Sequence, residues 1–169
     1  MERVLVIGSP GAGKSRLATE LARRTGLPLI HLDQLAWLPG WVELGEVDFR
    51  SRVAAAIAES RWVIDGNYGS TLPQRLARAD TVIDLDLPAW RCLGRVLRRV
   101  VQSHGKVRAD MAPGCPEQFD FPFLVYIVRF AGKGRRHVEA CLDRYSGRRI
   151  TLRSPADIRR FLDTVAVRT

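Results

Sequence analysis

The chain has 169 residues, 46% of them hydrophobic, with 27 Lys and Arg against 18 Asp and Glu for a net charge of +9. That length and apolar content fit one folded domain with a real core and exclude a disordered chain. No apolar run approaches the roughly 20 residues of a membrane span, and Cys92, Cys115 and Cys141 are too scattered for a disulfide framework or a zinc site, so free thiols are expected.

The sequence opens directly on an apolar, β-branched run at residues 3–7, which predicts a buried strand, no signal peptide and a cytoplasmic setting. Gly8-Ser9-Pro10-Gly11-Ala12-Gly13-Lys14-Ser15 follows, matching G-x-x-x-x-G-K-[ST]. After it, Leu17, Ala18, Leu21 and Ala22 recur at helical spacing until Gly26 and Pro28. Strand, glycine loop and helix in that order form a phosphate cradle: backbone N–H groups turn inward on an anion and the helix N-terminus adds positive charge. Gly8 to Ser15, with Arg16 behind them, are therefore the expected ATP-binding residues. Lys14 should reach the β- and γ-phosphates, and Ser15 should hold Mg²⁺.

A second strand is predicted over 28–32, ending at Asp33, and a helix over 46–60. Residues 61–65 form a third strand closed by Asp65, with a turn at Gly66-Asn67. A short helix near 72–77 leads to a fourth strand at 81–86, which carries Asp84 and Asp86 on one face. Pro88 opens a long helix; residues 104–118 carry no period and read as a loop; 119–145 reads as one helical stretch. The last strand is 148–152, and Ser154-Pro155 caps a closing helix. Strands alternating with helices predict an α/β fold of three layers, with a five-stranded parallel sheet wrapped on both faces.

The basic excess is localised. Residues 91–108 hold Arg91, Arg95, Arg98, Arg99, Lys106 and Arg108 with no acid, and 129–149 add Arg135 and Arg136 among others. That placement around a loop favours phosphate handling over general solubility or nucleic-acid binding.

These motifs resemble the nucleoside monophosphate kinase branch of the P-loop proteins, which includes adenylate kinase. The resemblance is closer to the topology modulation (FlaR-like) proteins. It rests on the P-loop, His31-Leu32-Asp33 with Trp37-Leu38-Pro39-Gly40-Trp41, Trp62-Val63-Ile64-Asp65-Gly66-Asn67-Tyr68, and Asp110-Met111-Ala112-Pro113-Gly114-Cys115-Pro116-Glu117. It implies one P-loop kinase domain over 1–169, with a substrate-binding insertion at 33–60 and a lid at 104–118 that opens and closes.

On that likeness Asp65 matches the acid that supports Mg²⁺, with a turn-forming aspartate as the plainer reading and Asp84 and Asp86 as rivals. Arg95 and Arg99 share a helix face and match lid-helix arginines that stabilise the transferring phosphoryl group. Arg135 and Arg136 could supply the other side of the lid. Asp33 could accept a bond from a substrate hydroxyl or merely cap a helix. Trp37 and Trp41 either stack on a base or pack against each other. An adenylate kinase would carry an acceptor arginine soon after Asp65. Here Asn67-Tyr68-Gly69 stands instead, leaving Arg75 either as its substitute or as a solvated helix residue. His31, His104 and His137 look isolated, with no role as ligand or base.

The expected activity is transfer of the γ-phosphate of ATP·Mg²⁺ to a small acceptor, with a nucleotide first and a hydroxylated metabolite second. A DNA-associated ATP-binding regulator is compatible but less favoured, because no DNA-reading motif is present. A GTPase is disfavoured, since Asn-Lys-x-Asp does not occur.

Overall fold

The computed structural model describes residues 1–166. Its core is a parallel sheet of β1 (Arg3–Gly8), β2 (Leu29–His31), β5 (Trp62–Asp65), β6 (Thr81–Leu85) and β7 (Arg148–Leu152), in the order β2-β5-β1-β6-β7. The five-stranded prediction holds, with boundaries shifted by one residue or so. The chain order reverses beside β1, so the carboxyl ends of β1 and β5 open a crevice at the switch point, where α/β sheets bind ligands.

The alternation within β1 explains the layering. Val4 and Val6 face one side, where they pack with Leu17 and Leu21 of α1 (Lys14–Thr25) and with Cys92 and Val96 of α5 (Ala89–Ser103). Leu5 and Ile7 face the other side, against Phe49 and Val53 of α3 (Glu46–Ala58) and Leu72 of α4 (Leu72–Arg78). All four β1 side chains are fully buried, each contributing about 1.5–3 kcal/mol.

Two segments depart from expectation. Between β2 and α3 the chain forms a short helix α2 (Leu32–Ala36) and an antiparallel hairpin of β3 (Trp37–Leu38) and β4 (Val42–Glu43). Glycine at 40, with φ +82°, and Trp41 at φ +62° make the reversal. The stretch 119–145 is not one helix. Asp120 caps α6 (Phe121–Arg129) by accepting from the Phe123 N–H, a π-helical turn spans Phe130–Gly134, and α7 (Arg135–Leu142) follows. Gly134 packs so close to Phe130 that a Cβ there would lie 2.5 Å from the ring.

Residues 104–118 form neither helix nor regular strand, but they are ordered by pairing. The Gly105 N–H donates to Glu117 O (2.8 Å) and the Glu117 N–H to Lys106 O (2.9 Å), while Met111, Ala112 and Cys115 are buried. The closing helix α8 (Pro155–Thr164) is capped as predicted, Ser154 Oγ accepting from the Asp157 N–H at 3.1 Å. Among the described residues no helix is long and apolar enough to cross a membrane.

Candidate phosphate-binding active site

The glycine loop makes its turn because three of its glycines take positive φ: Gly8 at +128°, Gly11 at +77° and Gly13 at +96°. Gly8 leaves no room for a side chain, since a Cβ there would sit 2.3 Å from Leu85 O. The loop is pinned from behind. The Ser9 N–H donates to Leu85 O (2.9 Å), Ser9 Oγ donates to Leu87 O (3.1 Å), and the Gly8 N–H donates to Asn67 Oδ1 (3.1 Å). The first-turn N–H groups of α1 have no intrahelical acceptor and face outward as an anion cradle.

Lys14 Nζ lies over this loop, donating to Gly8 O and Ser9 O at 3.2 Å each. Burial lowers its pKa, opposed by the negative charges of Asp65 and Asp33. Those carboxylates belong to the same cavity of about 940 Å³, which also takes in Pro10, Gly11, Gly13, Ser15 and Arg16. Ser9 serves as an anchor, and Ala12 is buried beneath the loop with its carbonyl accepting from Arg95 Nη1 at 2.6 Å.

The other half of the cavity lies at the ends of β2 and β5. Parallel register sets His31 beside Asp65, and His31 Nδ1 lies 2.5 Å from Asp65 Oδ1. Burial works against a charge on His31, but the bond and charge of Asp65, with Asp110 and Asp33 nearby, outweigh it and raise its pKa. This histidine was not isolated, contrary to its appearance in sequence; it lines the cavity. Asp33 sits in the first turn of α2 and makes no cap. Instead it accepts from Tyr68 Oη at 2.7 Å, and burial raises its pKa against that bond. Tyr68 holds a left-handed backbone, φ +32°, an uncommon geometry for an aromatic residue. Trp37 and Trp41 also line the cavity, packed edge to face at 5.4 Å. The packing reading is therefore correct for the pair, while one wall of it still faces the cavity.

Two residues expected at the substrate lie elsewhere. Arg75 is fully buried and is not among the residues lining this cavity: its guanidinium donates to the carbonyls of Gly66 (3.0 Å), Asn67 and Tyr68 (3.0 Å). Burial lowers its pKa to about 9. It is a brace for the loop after β5, not a substrate ligand. Arg135 is not among the residues lining the cavity and grips Asp84 with both Nη atoms, at 2.8 and 2.7 Å. The carboxylates that surround it, led by Asp84, raise its pKa against burial. Asp84 is thereby spent on an ion pair, and Asp86 faces Arg135 and Arg153, so neither rival acid reaches the cavity. Arg98 and Arg136 are exposed and lie outside it.

The lid side supplies a contact absent from the sequence reading. Glu117 is buried, and it holds Arg99 Nη2 at 3.0 Å and Arg108 Nε at 2.9 Å; Arg108 also bonds Asp110 at 3.2 Å. The seam with the hairpin is specific. Gly40 N–H donates to Gly114 O (2.9 Å), Trp41 Nε1 donates to Pro116 O (3.0 Å), and Cys115 Sγ donates to Leu38 O (3.2 Å).

Among the described residues no cluster of three or more His, Cys, Asp or Glu forms a metal cage. The donors present are of another kind: a hydroxyl, Ser15, and the carboxylate Asp65. Hard oxygen donors in that number suit Mg²⁺, which takes its remaining ligands from substrate phosphates and water.

No protein-family model matches the sequence, and no curated protein matches it. Solved structures do resemble it. Shikimate kinase from Acinetobacter baumannii in complex with shikimate superimposes with a TM-score of 0.60 at 18% identity, covering 98% of this chain and 90% of that one. A gluconokinase from Sinorhizobium meliloti 1021 gives 0.54 at 15%, covering 96% and 94%. Shikimate kinase from Bacteroides thetaiotaomicron gives 0.52 at 16%, covering 96% and 94%. The chain has the P-loop kinase fold. At these identities the likeness concerns the fold alone, and it does not single out adenylate kinases or the topology modulation proteins.

Proposed function

We propose that this chain is an ATP-dependent phosphotransferase that moves the γ-phosphate of ATP·Mg²⁺ to a small acceptor. One observation carries the reading: Lys14 on a complete phosphate loop and Asp33 on α2 line one cavity. The kinase names of the fold neighbours agree with it.

In this reading Gly8, Gly11, Gly13 and the N-terminus of α1 bind the phosphates, and Lys14 neutralises charge that develops on the γ-phosphoryl group. Ser15 and Asp65 would hold Mg²⁺, which would offset negative charge on the phosphates. Asp33 takes the proton of the acceptor hydroxyl as that oxygen bonds to phosphorus and the bond to the β-phosphate oxygen breaks, leaving ADP. Arg95 and Arg99 close on the transferring group. Residues 33–60 form the acceptor insertion, and 104–118 the lid that excludes water.

A screen of acceptors with labelled ATP tests this. Acceptor-dependent ADP formation that drops at least about a hundredfold in Lys14→Ala supports the reading, the loss corresponding to about 2.7 kcal/mol in the barrier. A folded Lys14→Ala protein with normal turnover would end it.

A further inference from the structure

The acceptor half of the cavity has an unusual charge inventory. Its carboxylates are Asp33, Glu43, Asp65 and Asp110. His31 answers Asp65 and Arg108 answers Asp110. Asp33 and Glu43 have no basic partner among the described residues; Asp33 has only the neutral Tyr68 hydroxyl. No uncommitted guanidinium stands on this side. Arg75 is spent on backbone carbonyls beneath the floor, and Arg108 is shared between Asp110 and Glu117. The cavity's positive charge without a carboxylate partner, Lys14, Arg16 and Arg95, lies at the phosphate loop, where ATP takes it. Trp37 and Trp41 add aromatic surface beside Glu43, which pairs with Trp37 across the hairpin.

A phosphate or carboxylate on the acceptor would meet the half-buried Asp33 and the exposed Glu43, neither answered by a basic side chain among the described residues, with the repulsion least screened at Asp33. A protonated amine meets the reverse: carboxylates for its N–H groups and an indole face for its charge. From this juxtaposition we infer that the acceptor is a hydroxylated amine, an amino sugar or amino alcohol, bound with its ammonium at Glu43 against the tryptophans and its hydroxyl at Asp33. The inference rests on the phosphotransferase reading. The transferred group goes to a hydroxyl of the amine-bearing molecule, whose proton passes to Asp33 while ADP departs.

The test is a matched set of acceptors at pH 7: 2-amino-2-deoxyglucose and 2-aminoethanol as amines, glucose and N-acetylglucosamine as neutral partners, and gluconate and AMP as anions. At least one amine should exceed every neutral and anionic member in kcat/KM by about tenfold or more. Glu43→Gln should raise KM for that amine at least about fivefold more than for glucose, and Glu43→Lys should shift preference towards gluconate. Equal or better transfer to glucose, gluconate or AMP overturns the inference, as does no transfer to either amine while ATP still binds in a Lys14-dependent way. ATP binding that does not depend on Lys14 instead defeats the phosphotransferase reading itself.

Discussion

Arg99 donates through Nη2 to Oε1 of Glu117 at 3.0 Å, so the guanidinium that the proposed mechanism assigns to the γ-phosphate already holds a buried carboxylate. A nucleotide must compete with that carboxylate for the arginine. The arrangement keeps two guanidiniums from repelling each other while it shapes the lid, and burial together with Arg108 lowers the Arg99 pKa.

Glu117→Gln should therefore tighten ATP binding severalfold and lower stability, because Arg99 and Arg108 lose their shared partner. Removing one member of a buried ion pair costs about 3–5 kcal/mol, less here because both arginines are partly exposed. Calorimetric titration and thermal denaturation read the two effects. Weaker ATP binding at unchanged Tm would contradict the competition.

Asp65 and Asp84 can be told apart. Asp65→Asn should reduce Mg²⁺-dependent turnover about tenfold or more, and raise the Mg²⁺ concentration for half-maximal activity. Asp84→Asn should instead lower Tm, since Arg135 and Arg149 lose the carboxylate they hold. A severe Mg²⁺ defect from the Asp84 change would reverse the assignment.

Arg75→Lys should behave as a stability variant. An ammonium cannot span the carbonyls of Gly66, Asn67 and Tyr68 as the guanidinium does. The expected loss is about 2–4 kcal/mol, seen as a lower midpoint in urea. A raised acceptor KM with intact stability would restore Arg75 to the substrate.

The pH profile should carry the mark of Asp33. Its ionised form is the active base, and burial raises its pKa above the ordinary aspartate value. The acid limb of kcat/KM should lie above that value, with activity lost as pH falls through it. Tyr68→Phe removes the hydroxyl bond that favours the carboxylate, so the limb should move to still higher pH. A limb that moves down, or does not move, would exclude Asp33 as the base.

Much of this site was legible in sequence because its signals are local. The loop from Gly8 to Ser15 is contiguous, and period-2 and period-3.6 patterns place the strands and helices that hold it. Asp65 ends β5 as the chain order suggested, whereas Asp33, expected at the end of the second strand, lies two residues beyond it in the first turn of α2. What escaped depends on pairs far apart in sequence. His31 meets Asp65 only because β2 lies beside β5, and Glu117 meets Arg99 only when the lid turns back on α5. Arg75 and Arg135 failed for a complementary reason. Propensity marks an arginine as polar surface, while tertiary packing can bury it against carbonyls or carboxylates that local spacing does not show. Parallel strand order was the missing signal for His31: once β2 and β5 are neighbours, their terminal residues are paired by register.

The seam between the hairpin and residues 104–118 has a kinetic meaning. Gly40 with Gly114, Trp41 with Pro116, and Leu38 with Cys115 join segments that are roughly half the chain apart. The backbones meet closely there: a Cβ at 114 would lie 2.8 Å from Pro39 Cβ, and the turn at Gly40 hangs from the Gly114 carbonyl, so moving one segment alone costs these contacts. In the proposed phosphotransferase the hairpin and residues 104–118 would therefore move as one body, and any opening that separates them would break all three bonds together.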